Sequence, residues 1–565
     1  MQIRVSIVYS AVCSVLLLAA LASCKKLVEV EPKDELDEKN MYRNVFDADA
    51  AVIGVYGKFM GLAEQYIVLN ELRGDLTTVT ATADANLQQI DAHKVQDGNP
   101  YASPKPFYEV ILNCNDVLHN LGIMLADKKL KVEEYNMRYS DIATLRCWLY
   151  LQLGIHFGKV PYVTDDIADV SALDAIRNLP RFEFNQLLDT LTRQMESLPY
   201  MQPYASSASL VTTVDGYVTN KFFINKQIME GQLYLWKGDY RKAAIAFKTV
   251  MEVGGTGDLN TNRITYGSKA DNNDIAVGYI RFREWDENML VDNNSQGWRS
   301  IFARSEDKLF NYEWIWYLPF NKSFKPVDPF INLFSNKGGS YLLKPSQYAI
   351  DKWNSQVQKN DFTYDARGKV FSWRMLNNQP VIMKYLYNYL DEKSFAPVNV
   401  FEKNGKWFLY RAASLHLDFA EAANRDAHQS LAYALVNQGL PTVANMIPTE
   451  GTPYNFDARK SDNPKIVGDW CANAGIRGRA NLYSPAVTGD STLFIEDQVI
   501  GEAGLELAYE GRRWPDLLRI ALRRNDPAFL ADKIYNKLVA EHNPAAADVR
   551  ARLMNKENWY LPFRW

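Results

Sequence analysis

The chain has 565 residues, 47% of them hydrophobic, and a formal net charge of −4; it can bury a large core as two intimate lobes or one large solenoid, and disorder is excluded. So small a charge with no dense basic cluster gives no field suited to nucleic acid. The unusual figure is the aromatic content of 13%, with 32 Tyr and 13 Trp, residues whose flat apolar face and polar edge favour stacking at a wet surface.

Arg4 is followed by an uncharged stretch from Val5 to Leu21 and then by Leu21-Ala22-Ser23-Cys24, the layout of an export signal with a small-residue cleavage site. The apolar run is shorter than the roughly 20 residues a spanning helix needs. The Leu-Ala-Ser-Cys order resembles the bacterial lipobox, so residues 1–23 read as a lipoprotein signal peptide and Cys24 as a lipid-bearing N-terminus. Two or more acyl chains on one residue suffice for stable anchoring. Residues 24–43, of mixed charge and little periodicity, read as a tether. Cys114, Cys147 and Cys471 then remain. Their odd number and wide spacing imply neither a disulfide framework nor a zinc ribbon, and buried thiols are expected.

From Asn44 to Ala63, apolar residues at intervals of three and four predict an amphipathic helix entered through Asn44 or Asp47. Further helices are predicted over 107–125, 133–157 (stopped by Gly158 and Pro161) and 182–198. In the segment 220–253, Gly231, Tyr234, Gly238, Tyr240, Ala243 and Phe247 fall near tetratricopeptide offsets: Gly231 lets two helices approach, Gly238-Asp239 turns the chain, and Ala243 with Phe247 packs it back. A generic helical hairpin would show much the same pattern.

Between Gly254 and Asn404 the texture changes to loops and short alternating runs, and from Tyr279 to Phe334 about a quarter of the residues are Phe, Tyr or Trp. Tyr312, Trp314 and Trp316 have strand spacing with large residues on both faces, a core pattern. Helix returns over 410–438 and over 494–524, with Pro515 expected to mark a break and a fresh start.

Several separated motifs resemble the SusD/RagB family of nutrient-binding outer-membrane lipoproteins of Bacteroidetes. They are Phe46-Asp47-Ala48 with Ala51, Gly54 and Tyr56; the helix from Asn113 to Leu118; Arg146 to Pro161; and the Gly238-Asp239-Tyr240 turn. Pro345-Ser346, Asp365-Ala366-Arg367, Lys384-Tyr385 and Arg411 to Arg425 follow in order. Last comes Glu506-Leu507-Ala508-Tyr509-Glu510-Gly511-Arg512-Arg513-Trp514-Pro515-Asp516-Leu517-Leu518-Arg519. In that final segment, Arg512, Arg513, Asp516 and Arg519 are expected to pair with Glu506 and Glu510 or with one another across a bend, as a structural cluster.

The resemblance implies a mainly α fold: a tetratricopeptide-like helical-hairpin scaffold over 44–260, and a C-terminal region over 261–565 with a loop-rich, aromatic-rich inserted lobe (261–404) and closing helices (405–565). It also implies a partner, a SusC-like TonB-dependent transporter that the protein covers as a lid, a place at the outer membrane, and capture of an oligosaccharide or peptide without chemistry. Sugar rings stack their C–H faces on aromatic planes while hydroxyls meet Asn, Asp and Arg at the rim. The candidate contacts are Trp285 and Trp298 in the lobe, with Tyr66, Arg73 and Asp75 after the first helix, where family members often place ligand contacts.

No cofactor is implied. The six histidines lack metal-ligand spacing. Ser305-Glu306-Asp307-Lys308 and Ser461-Asp462-Asn463 match two elements of a penicillin-interacting serine enzyme, but the third, Lys-Thr-Gly, is absent. Two readings stay open beside glycan capture: a glycosidase, which needs only two suitably spaced carboxylates, and a scaffold that binds only protein.

Overall fold

The computed structural model describes residues 41–165, 178–251, 297–304, 307, 313–323, 325–359, 361–439, 453–454 and 475–565. Helix α1 (Val45–Met60) starts where the Asn44 side chain accepts from the N–H groups of Phe46 and Asp47, and it buries Ala48, Val52, Val55, Tyr56 and Phe59. Its outward face carries Phe46, Ala50, Ile53 and Gly54, with Gly57 at the edge of burial. Gly54 and Gly57 have no atom within 4 Å of where a Cβ would stand, although each mid-helix glycine costs about 0.5–1 kcal/mol relative to alanine.

Helix α2 (Lys105–Ala126) packs on α1 and on α3 (Val132–Phe157). From Ser140 onward α3 is buried on every side, as expected of a helix without a polar face. It ends at Gly158 with φ of +71°, where a Cβ would lie 2.9 Å from the Tyr560 ring. Helix α4 (Phe184–Glu196) packs on α3 and on α5 (Lys226–Lys237). Gly238, with φ of +82°, turns α5 into α6 (Tyr240–Met251), a turn only glycine makes without strain. A Cβ on Gly231 would stand 2.6 Å from the Phe247 ring. Phe247 is fully buried, so Gly231→Ala is expected to cost about 1–3 kcal/mol by overpacking, read as a lowered denaturant midpoint.

Five two-stranded antiparallel ladders are described, three of which matter for the site. Strand β1 (Thr77–Val79) pairs with β3 (Leu343–Pro345). Strand β2 (Trp314–Phe320) pairs with β6 (Gly405–Arg411), and β4 (Trp373–Leu376) with β5 (Gln379–Ile382). In β2, Trp314, Ile315, Trp316, Tyr317 and Leu318 are all buried, as the alternating aromatics predict, and the β2/β6 ribbon runs through the core.

The closing helices are α7 (Ala412–Arg425), α8 (Gln429–Val436), α9 (Ser491–Glu506), α10 (Arg513–Arg524) and α11 (Pro527–Ala540). The expected break and fresh start near Pro515 are both present, with the break displaced toward the N-terminus. The chain breaks earlier, between Glu506 and Arg513, and Pro515 sits in the first turn of α10, where no backbone donor is needed and proline is tolerated. Buried apolar side chains from Tyr42 to Phe563 form a single hydrophobic cluster.

Candidate functional site

After α1 a π-helical turn (Val68–Leu72) aims Glu71 inward. Its carboxylate accepts from the backbone N–H groups of Gly511 (2.7 Å), Arg512 (2.9 Å), Tyr509 (3.1 Å) and Arg513 (3.4 Å). Burial nevertheless pushes the Glu71 carboxyl up to about 7, outweighing these four donors. Gly511 has φ of +81°, and a Cβ there would stand 2.1 Å from the Tyr66 ring; the turn needs glycine on both counts. Beside it, Asp75 accepts from Arg513 Nε (2.5 Å) and Nη2 (2.8 Å).

Among the signature residues Arg512 and Arg519 pair with Asp516, as one of the two expectations has it, but the bonds to Glu506 and Glu510 are made by other cations. Arg512 bonds Asp418 and Arg519 bonds Glu421, while both reach Asp516. Arg523, Arg425 and Arg524 converge on Glu496, and Arg524 also reaches Asp497. Glu506 and Glu510 instead take cations from distant segments. Arg411 bonds Glu313, Glu506 and Glu510; Arg479 bonds Glu313 and Glu506; Lys384 bonds Glu510. Arg367 bonds Asp365, Glu502 and Glu506, and Arg477 bonds Glu502. In this second group five carboxylates (Glu313, Asp365, Glu502, Glu506, Glu510) face five cations (Arg367, Lys384, Arg411, Arg477, Arg479), so the buried charge sums to zero. Such neutrality is what makes burial of so many ions tolerable.

Three of the candidate ligand contacts belong to this interior and are corrected. Arg73 is buried: its guanidinium lies 3.9 Å over the Trp514 ring, bonds the Trp559 carbonyl and meets His156 Nδ1 at 3.2 Å. Burial lowers its pKa to about 9. Asp75 is fully buried against Arg513, and Trp298 is fully buried, with the Arg479 guanidinium 4.6 Å from its ring. A group enclosed and partnered in this way presents nothing to a ligand. Trp285 lies outside the described residues, as do Cys471, Ser305 and the Ser461-Asp462-Asn463 triplet. Cys114 and Cys147 are buried, and burial pushes both thiols up to about 12.

Tyr66 is also buried, between Trp148 and Trp407, but it lines a cleft where α3, α5 and β6 meet the signature turn. Trp148, Gln152, Gln232, Trp236 and Arg512 contribute to its wall. Its mixture of rings, amides and charges suits a sugar, but its volume does not. The cavity of about 50 Å³ holds about three to five waters at roughly 10–15 Å³ each.

A larger accessible surface lies on the lobe expected to bind ligand, in the loop 391–402. Asp391 organises it, its Oδ1 accepting from Lys393 N, Ser394 N and Ser394 Oγ. Phe395 follows with φ of +51°, a conformation costly for a bulky residue and characteristic of sites held for a purpose. The guanidinium of Arg374 on β4 lies 4.4 Å from its ring centre, and that of Arg299 lies 5.3 Å away. Arg299 also donates to the Glu392 carbonyl at 2.9 Å. Beyond Phe395 the loop exposes Val398 (72%), Val400 (47%) and Phe401 (90%), with Met375 (53%) on β4. Phe401, a solvated ring among partly solvated apolar groups, can stack on a flat partner, whereas Arg299 is buried and occupied by Phe395 and the Glu392 carbonyl. None of these positions follows a periodic pattern in the sequence, and the aromatic-rich stretch from Tyr279 to Phe334 ends well before this loop.

Among the described residues no helix is long and apolar enough to cross a membrane, and no group of His, Cys, Asp and Glu could hold a metal ion. The fold and the loop surface define a helical protein that offers an aromatic patch outside its core. Residues 346–563 match the SusD family model. A SusD-like protein of Formosa agariphila is 25% identical over 239 residues, a match taking in 41% of this chain and 43% of that protein. A SusD superfamily protein from Bacteroides vulgatus superposes with a TM-score of 0.57 at 13% identity, covering 92% of this chain and 96% of the other. A SusD-like carbohydrate binding protein from Bacteroides fragilis gives 0.56 at 16% identity, over 86% and 88%. A surface glycan-binding protein A from Bacteroides uniformis gives 0.52 at 16% identity, over 84% and 88%. Residues 346–563 are thus similar in sequence to the SusD family, and the described residues share the fold of the SusD superfamily structures.

Proposed function

We propose that this protein is a lipid-anchored outer-membrane glycan-binding protein that captures oligosaccharide at the cell surface and delivers it to a SusC-like TonB-dependent transporter. The anchor is Cys24, the capture domain is the folded body from Tyr42 onward, and no reaction is performed. The observation that carries the reading is the loop 391–402. Its Phe401 ring is 90% exposed and its Phe395 is held in the left-handed region beside two guanidinia. Leaving the Phe401 ring in water is unfavourable by the transfer free energy of its apolar area, and a ligand with apolar faces and a hydroxylated rim recovers it. The carbohydrate and glycan binding named for the B. fragilis and B. uniformis relatives supports the same ligand class.

A glycan array probed with the lipid-free protein tests this. Binding without turnover is expected, with Phe401→Ala weakening affinity at least tenfold, about 1.4 kcal/mol, at unchanged thermal midpoint, and Phe395→Ala/Phe401→Ala weakening it further. Hydrolysis of the bound glycan would favour the glycosidase reading. Binding that ignores both substitutions would move the site elsewhere.

A further inference from the structure

The cleft beside Tyr66 is too small for a sugar ring, but its wall is unfinished at one atom. Trp148 and Gln152 of α3 and Trp316 of β2 are buried and form its floor, while Gln232 and Trp236 of α5 and Arg512 are partly exposed and form its mouth. Gln152 is only 5% exposed. Its Oε1 accepts from Asn70 Nδ2 at 3.3 Å, and among the described residues its Nε2 has no acceptor. A buried amide with an unused donor is costly unless something in the cavity accepts from it.

The remaining wall restricts what that acceptor can be. Arg512 is bonded to Asp418 and Asp516, and Arg519 to Asp516 and Glu421. The charged residues lining the cleft, Arg512, Arg519, Asp418 and Asp516, sum to zero, so neither an anion nor a cation finds an unmatched counter-charge there. The occupant is therefore neutral. The indoles of Trp148 and Trp316, with Ile155 and Ile228 beside them, favour an apolar end. Space for three to five waters matches a substituent of about four non-hydrogen atoms. A carbonyl that accepts from Gln152, joined to a methyl that meets the indoles, satisfies the donor, the charge, the apolar wall and the volume together.

We infer that this cleft receives the acetamido group of an N-acetylated sugar, with Gln152 Nε2 donating to its carbonyl oxygen and the sugar ring left outside against Trp236. The inference rests on the glycan-capture reading above. It adds a substrate class to that reading, and a contact built from none of the residues of the loop 391–402. A hydroxyl at the same ring position is too short to reach Gln152 and leaves the indoles to water, so the cleft selects for the acetylated sugar.

The test is titration calorimetry on the full-length lipidated protein in detergent, with tri-N-acetylchitotriose and cellotriose, β-1,4-linked trimers that carry acetamido or hydroxyl at the same carbon. The acetylated trimer is expected to bind at least about tenfold tighter. Gln152→Met keeps the length of the side chain and removes the donor. It is expected to cut that ratio to below about threefold with cellotriose affinity unchanged. Saturation-transfer NMR on the unaltered protein needs no substitution, and the acetyl methyl protons are expected to receive more transfer than the ring protons. Equal affinity for the two trimers, a ratio that survives Gln152→Met, or methyl protons no more saturated than the ring overturns the inference and leaves glycan capture standing. Binding of an N-acetyl-lysine peptide without binding of the acetylated trimer assigns the cleft to a modified polypeptide and also overturns it. Absence of binding to either trimer and to every glycan on the array overturns both readings.

Discussion

Replacing Arg411 by methionine is expected to lower the folding free energy by about 3–5 kcal/mol, the cost of leaving buried charges without their partner. Arg411 is fully buried and donates to Glu313 (2.6 Å), Glu506 (2.9 Å), Glu510 (2.8 Å) and the Glu506 carbonyl (2.8 Å). Methionine keeps much of the aliphatic stem and removes every one of these donors. Arg479 and Lys384 stay on Glu506 and Glu510, but the balanced set becomes one negative charge in excess, in a site water does not reach. Arg43→Met is the control. That arginine is paired with Asp47 at 3.1 Å but two-thirds exposed, so its loss is expected to leave the unfolding midpoint almost unchanged. Guanidinium unfolding of both variants makes the comparison, and equal midpoints would show the interior network to be energetically idle.

The pH profile of stability is expected to be nearly flat from about pH 6.5 to 4.5 and to collapse below about pH 4. Burial alone would raise Asp75, Glu421 and Glu506, but Arg513 beside Asp75, Arg519 and Arg523 beside Glu421, and Arg479, Arg411 and Arg367 around Glu506 hold all three carboxyls well below the usual range. Their folded values lie below their unfolded ones. Their stabilisation is therefore complete above about pH 4.5 and lost as the pH falls, at about 1.4 kcal/mol for every tenfold difference in proton affinity between the folded and unfolded states.

Two further sets act earlier and oppose one another. Burial pushes Glu71, Asp141 and Asp328 up to about 7, so between about pH 7 and 4 the folded state holds more protons at these groups and gains stability as the pH falls. Burial also depresses His93, His156 and His416, the last to about 3. There the unfolded state takes up protons below about pH 6.5, and stability falls with pH. Three groups of each kind leave little net slope until the paired carboxylates titrate. Thermal midpoints measured from pH 8 to 3 make the check; a steady decline beginning at pH 7 would mean that the histidines outweigh the acids.

Elements whose cause is local can be read from the sequence. The Asn44 cap, the Gly158 stop, the Gly238 turn and the double-sided burial of Trp314 to Leu318 each follow from a few adjacent side chains. Arg73, Asp75 and Trp298 mislead because an aromatic or charged residue next to polar neighbours looks the same whether it faces solvent or the core. What decides is a partner hundreds of positions away: Trp559 for Arg73, Arg513 for Asp75 and Arg479 for Trp298. The same non-locality hides the partners of Glu506 and Glu510, which the spacing within the signature suggests are its own arginines and which Arg367, Lys384, Arg411 and Arg479 in fact supply. Phe395 and Phe401 are out of reach for the opposite reason, since nothing repeats around them and only the folded loop shows that Phe401 is held outward and Phe395 half-buried.

The Glu71 nest joins positions 71 and 509–513, and Arg73 reaches on to Trp559. Glu71 and Arg73 are made 438 and 486 residues before groups they bond, and contacts at such separation form only once both segments exist. Until then α1, α2 and α3 can pack on one another, but their inward-facing charges stay unmatched. Burial of these groups is therefore a late step of folding, completed by the C-terminal segments.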